Sequence, residues 1–147
     1  MFIFNHLCGV ILLVKGRGIS GGKGRGELLI SPVPISFLSG VDPGTGIIVE
    51  KGHTLQGQSI AGKVLVFPYG KGSTVGSYVL YALSRNGHAP AAIVNVEAEA
   101  IIATGAIISN IPMIDRIKIP LENLREKTCA IIDGDLGTME IDVGCEK

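Results

Sequence analysis

A chain of 147 residues, 46% apolar and with no tryptophan, has the size and hydropathy of one globular domain that buries about two-thirds of its unfolded surface. Its 13 basic and 13 acidic side chains cancel, so no field draws it to nucleic acid or to an anionic membrane, and no aromatic stacking platform or Lys/Arg block appears. Cys8, Cys129 and Cys145 lie far apart with no Cys-x-x-Cys spacing, which argues against a disulfide framework and against a zinc or iron–sulfur centre held by this chain alone; idle thiols in a reducing cytoplasm are expected.

Leu7 to Val14 is mostly apolar but too short to span a bilayer, and no basic n-region or small-residue cleavage site accompanies it. Residues 1–14 read as a first strand or as an extension ahead of a start near Val14, with a single domain over 15–147. Gly16 to Gly26 predicts a hairpin between two strands, and Glu27 to Ile30 a strand stopped at Ser31-Pro32-Val33-Pro34. A loop follows from Ser39 to Gly46, with turn chemistry at Asp42-Pro43, and then a short strand over Ile47 to Val49. Lys63 to Phe67 has the length and apolarity of a strand buried on both faces.

After a glycine loop, Val75, Val79, Ala82 and Leu83 fall on one face of a helix that starts at Ser73-Thr74 and closes at Asn86-Gly87. Ala91 to Val96 is the next buried strand, completing a strand–helix–strand unit with parallel strands. A helix from Glu97 or Ala98 to Thr104, broken near Gly105, comes next. Strands at Ile111 to Ile114, Cys129 to Ile132 and Thr138 to Val143 are joined by a polar connector over Pro120 to Lys127 and a turn at Asp133 to Gly137. The sum is an α/β, β-rich fold: a mixed sheet with few helices.

The chemistry concentrates at Gly70-Lys71-Gly72-Ser73-Thr74. A strand-to-helix turn there presents hydroxyls and free backbone N–H groups at the positive end of a helix dipole, a place for an anionic substrate. Nucleotide loops do not fit: Lys71 precedes glycine rather than Ser or Thr, and Gly76 comes one position late for a dinucleotide fingerprint. Ser73 reads either as a helix cap or as a catalytic hydroxyl, with Thr74 and Ser77 competing for both roles. Lys71 reads as a solvated lysine or as the cation for a carboxylate or phosphate, and Asp42 as an Asx turn or a loop residue beside the site. Glu97 and Glu99 follow a strand and are either ligand-side acids or helix-start acids. His6, His53 and His88 have no companion at metal-ligand spacing.

The stretches PISFLSGVDP (Pro34 to Pro43), SIAGKVLVFP (Ser59 to Pro68), GKGSTVGSY (Gly70 to Tyr78) and APAAI (Ala89 to Ile93) resemble the small subunit of the aconitase X family, over nearly everything from Lys15 to Ile132. The resemblance implies a swivelling β/β/α domain and a large-subunit partner that carries an iron–sulfur cluster (4Fe–4S). It also implies a small phosphorylated hydroxy acid as substrate: (R)-5-phosphomevalonate, dehydrated to trans-anhydromevalonate 5-phosphate. Ser73 would be the proton acceptor, beside substrate-binding Lys71, Gly72, Thr74, Ser77 and Asp42. A proton next to a carboxylate is weakly acidic, so its removal needs a strong base on one side and an electrophile on the other. No arginine lies within the Ser73 loop, which leaves the accompanying cation to Lys71 or the partner. Competing readings are a related dehydratase acting on a hydroxyproline, a non-catalytic anion-binding module, and a phosphohistidine carrier, for which the loop lacks a histidine.

Overall fold

Apolar residues at every position of Val64 to Phe67, and again at Ala92-Ile93-Val94, leave no face for water, so both strands must be covered on two sides. The computed structural model describes the backbone of residues 2–6 and 9–143 and the side chains of residues 11–142. In it a second sheet covers one side of these strands and helices cover the other. The chain runs through strands β1 (Phe2–His6), β2 (Gly9–Lys15), β3 (Arg17–Ser20) and β4 (Lys23–Ile30), a one-turn helix α1 (Phe37–Gly40), and strand β5 (Val64–Phe67). Helix α2 (Gly76–Arg85), strand β6 (Ala92–Asn95), helix α3 (Ala100–Ile108) and strand β7 (Met113–Asp115) follow. A 3-10 turn (Leu121–Asn123) leads to β8 (Cys129–Asp133) and β9 (Thr138–Val143).

The strands join in the order β1-β2-β9-β8-β4-β5-β6-β7-β3. Strand β4 belongs to both halves: residues 23–27 pair antiparallel with β8, and residues 28–30 pair parallel with β5. Alternation along the strands then sorts the side chains into two cores. Val14, Leu28, Val64, Val66, Val94 and Ile132 meet between the two sheets. Leu65, Phe67, Ile93, Leu80, Leu83 and Ile102 meet between the mixed sheet and the helices. The result is the β/β/α layering expected.

Three local expectations change. The glycine-rich stretch after Gly16 turns at Gly21-Gly22, but its strands do not form a hairpin; β3 crosses to pair with β7 and β4 with β8. Gly24 and Gly26 lie against the carbonyls of Ala91 and Gly62, where no Cβ fits, so β4 can slip beneath the parallel strands. Residues 47–49 make isolated bridges (Ile47 to Ser59, Ile48 to Val41) rather than a strand. Helix α3 also runs straight through Gly105, because an added Cβ there would meet Leu80 Cδ1 at 2.7 Å and Ser77 Cα at 3.1 Å. That glycine is the contact by which α3 packs on α2, not a break.

Candidate active site

Strands β5 and β6 are parallel and end side by side, and each feeds a helix that starts from the same edge. Gly76, at the start of α2, packs against Ile101 in the first turn of α3 and against Phe37. Two helix N-termini therefore share the edge where open α/β sheets receive ligands. Glu99 caps α3, accepting from Ile102 N at 2.7 Å and Ile101 N at 2.9 Å.

The loop leaving β5 is held from both flanks. Gly70 lies flush against Ile102 and Glu99 of the α3 start. On the other flank Ile35 N donates to Tyr69 O (3.4 Å) and Lys71 N to Ile35 O (3.0 Å), a short parallel bridge. This bridge brings Pro-Ile-Ser-Phe and Gly-Lys-Gly-Ser, far apart in sequence, into one structure. Gly72 takes φ of 97°, a left-handed conformation, and the Ser36 hydroxyl stands 2.8 Å from where a side chain would begin.

Ser73 follows, half-buried. Its Oγ accepts from Val75 N at 3.1 Å and its carbonyl accepts from Gly76 N at 3.0 Å. It thus caps the turn leading into α2; the helix itself begins at Gly76, three residues later than the sequence pattern predicts. The backbone N–H groups of Gly72, Ser73 and Thr74 donate to nothing among the described residues. Consecutive free donors in a turn beside a helix N-terminus form an anion-binding concavity.

The other candidates divide. Ser77 Oγ donates to Thr74 O at 3.1 Å, so both belong to this turn. The Lys71 ammonium reaches Glu50 at 3.4 Å, about half exposed. Asp42 is not brought here. It closes an Asx turn, accepting from Gly44 N and from Thr45 Oγ1 at 3.0 Å each. Its neighbour Pro43 accepts from Asn86 at 2.9 Å, beyond the C-terminus of α2 and so roughly 15 Å from the loop.

Sequence inspection around Ser73 has no arginine to offer, and the fold supplies two on the same edge. Arg17 grips the buried Asp115 through two hydrogen bonds, 2.9 and 2.8 Å, and Asp115 also accepts from Ala98 N at 2.7 Å. Arg116 makes the same two-pronged contact with Glu97, at 3.0 and 2.9 Å. Burial works to raise the Asp115 pKa, but the Arg17 and Ala98 hydrogen bonds and the nearby guanidinium charges outweigh it and hold the carboxyl below its usual range. The Arg116 hydrogen bonds likewise hold Glu97 low. Beside them Val96, Arg116, Ile117, Ile119 and Leu121 line an open groove of about 580 Å³.

No group of three or more His, Cys, Asp or Glu side chains among the described residues could hold a metal ion. The thiol of Cys129 accepts from Arg25 Nε at 3.4 Å, and the buried His53 accepts from Leu55 N through Nδ1 at 3.0 Å. Cys8 and Cys145 lie outside the described residues. Among the described residues, then, no ligand set for an iron–sulfur cluster is present. No described helix is long and apolar enough to cross a membrane.

Comparison with known proteins gives consistent relatives. The family model of the aconitase X swivel domain matches residues 13–141. The phosphomevalonate dehydratase small subunit of Methanocella arvoryzae is 54% identical over 87% of this chain and 98% of its own. That of Thermococcus kodakarensis is 56% identical over 87% of this chain and 95% of its own. Among solved structures, the crystal structure of the holo-form of Thermococcus kodakaraensis aconitase X superposes with a TM-score of 0.85 at 55% identity, covering 88% of this chain and 98% of that one.

Proposed function

Because the chain belongs to the aconitase X swivel domain family, we propose that it is the small subunit of a cytoplasmic hydro-lyase that dehydrates (R)-5-phosphomevalonate to trans-anhydromevalonate 5-phosphate. Relatives that carry this activity in their names align over nearly their whole length. The three cysteines with no pairing spacing support a reducing compartment.

Ser73 is the proton acceptor in this reading, and the observation that carries it is the open donor set around it. Dehydration breaks the C2–H bond, forms the C2–C3 double bond from its electrons and expels the C3 hydroxyl as hydroxide; the proton passes to Ser73 Oγ, and the cluster on the partner would supply the Lewis acidity that a departing hydroxyl needs. A serine oxygen is basic enough for that step only as an alkoxide. The Val75 N–H already points at Oγ, and the α2 dipole favours negative charge at the same place. The free N–H groups of Gly72, Ser73 and Thr74, with Lys71 and Ser77 nearby, then hold the substrate's anionic groups. Asp42 stands outside this site.

The partner is a large subunit, as the relatives' names imply, and the cluster that the family resemblance calls for belongs to that subunit. Tyr69, Val75 and Tyr78, respectively 49%, 42% and 69% exposed, surround the loop with apolar surface that a partner would cover. Closure there excludes water and raises the effect of each donor.

The test is Ser73→Ala in the assembled two-subunit enzyme. Turnover should fall by about 10³-fold or more, while the complex still forms and stability drops by no more than the ~1 kcal/mol of a lost cap. Retention of turnover sinks the assignment, and loss of the fold makes Ser73 a structural cap.

A further inference from the structure

Asn95 is the last residue of β6 and is fully buried, in register with Phe67, the last residue of β5. Alternation puts it on the helix side of the sheet with Ile93, the side on which Phe67, Leu65 and Ile102 pack together. Its amide nitrogen donates to Phe67 O at 3.1 Å and to Val94 O at 3.3 Å; two carbonyl acceptors fix which end of the amide is which. The amide oxygen has no partner among the described residues. A buried acceptor left unpaired is a standing cost. An apolar side chain of the same shape would avoid that cost, but would also remove both donors to the Phe67 and Val94 carbonyls.

The contacts indicate what that cost maintains. Phe67 is the residue from which the active-site loop departs, and Pro68 O, one residue on, accepts from Val96 N (3.0 Å) and Glu97 N (3.3 Å). The exit of β5 is thus tied twice to the exit of β6, once through backbone and once through the Asn95 side chain. Beyond it Gly70 lies flush against Ile102 and Glu99, so the direction the chain takes at Phe67 decides how it meets that contact on the way to Gly72 and Ser73.

We infer that Asn95 is a positioning residue for the dehydration: it aims the loop that carries Ser73 by holding the Phe67 carbonyl. The inference rests on Ser73 being the proton acceptor. It is tested with Asn95→Leu and Asn95→Asp in the assembled enzyme, measuring kcat, KM for (R)-5-phosphomevalonate and Tm beside Ser73→Ala. In Asn95→Leu, kcat falls roughly 30- to 100-fold, the effect of a misplaced reacting group, with KM little changed. Wild-type kcat per folded complex in Asn95→Leu overturns the inference, whatever its Tm. Should that variant fail to assemble, Asn95→Asp decides. Its carboxyl has one proton to donate, to the Phe67 carbonyl, and only while protonated, so kcat falls with rising pH over a range where wild type is flat; a profile that superimposes on wild type overturns the inference. An active Ser73→Ala removes the Ser73 reading itself, whereas an inactive Ser73→Ala beside a fully active Asn95→Leu removes only the role of Asn95.

Discussion

The loop after β5 and the quartet of Arg17, Asp115, Arg116 and Glu97 occupy the same edge of the mixed sheet, yet their polar groups are arranged oppositely. In the quartet every charge is matched: Arg17 on Asp115, Arg116 on Glu97, with Arg17 also 3.7 Å from Glu97. In the loop three consecutive N–H groups and a serine hydroxyl proton have no acceptor among the described residues. A cluster whose charges are already matched offers a ligand no unpaired charge, only the Nη1 ends of two half-exposed guanidiniums, so its first contribution is to the fold. An open one at the surface, as at Gly72 and Thr74, keeps its donors available to a ligand. Proximity of arginines to the site is therefore weak grounds for giving them a catalytic role.

The contrast can be broken at several points. After Ser73→Ala, the largest effect is expected at Gly72→Ala, which forces a side chain onto a φ of 97° and against the Ser36 hydroxyl. Displacing the donors should cost about 100-fold in turnover, read from kcat of the assembled enzyme; an unchanged kcat would mean that the loop geometry is not functional. Asp115→Ala should do the reverse. It should lower stability by about 2 kcal/mol, less than a fully buried pair because Arg17 is 44% exposed, with kcat per folded molecule within about threefold of wild type. Denaturant unfolding and activity assays check the two halves separately.

The same carboxyl predicts a pH signature. Its folded pKa lies below the unfolded value of about 3.9, so its stabilisation is complete above that value and disappears as pH falls through the folded pKa. Thermal melts should show wild type losing stability on acidification more steeply than Asp115→Asn, and parallel curves would contradict the direction given. The smallest effect is expected at Lys71→Gln. Its ammonium is already shared with Glu50 near solvent, so KM should rise only about threefold; a collapse of kcat would make Lys71 the missing cation.

Much of this was legible in the chain. The run Val64 to Phe67, the glycine loop, the Val79-Leu83 spacing and the Asn86-Gly87 cap all act locally, and strand, loop and helix stand where they point, apart from a helix start displaced to Gly76 that leaves Val75 ahead of the helix and exposed. Asp133 to Gly137 likewise turns as its composition requires, with Asp133 accepting from Asp135 N and Leu136 N at 3.0 Å each. What misled were residues whose reason lies in another element. Gly105 looks like a helix breaker and is instead a close-packing point against Ser77 and Leu80. Gly24 and Gly26 look like hairpin glycines and instead let β4 pass the carbonyls of Ala91 and Gly62.

By itself, then, the amino-acid order determined the buried parallel strands, the helix that follows and the placing of Ser73 on the turn between them, because hydrophobic period and turn chemistry act over a few residues. Only the folded molecule decided that residues 34–37 lie against that turn, that Asp42 belongs to the opposite end of α2, that Arg17 and Arg116 are already engaged, and that Asn95 grips Phe67. Each of those relations joins segments distant in sequence through strand pairing or a single hydrogen bond, and no local pattern encodes which distant partner a polar group will meet.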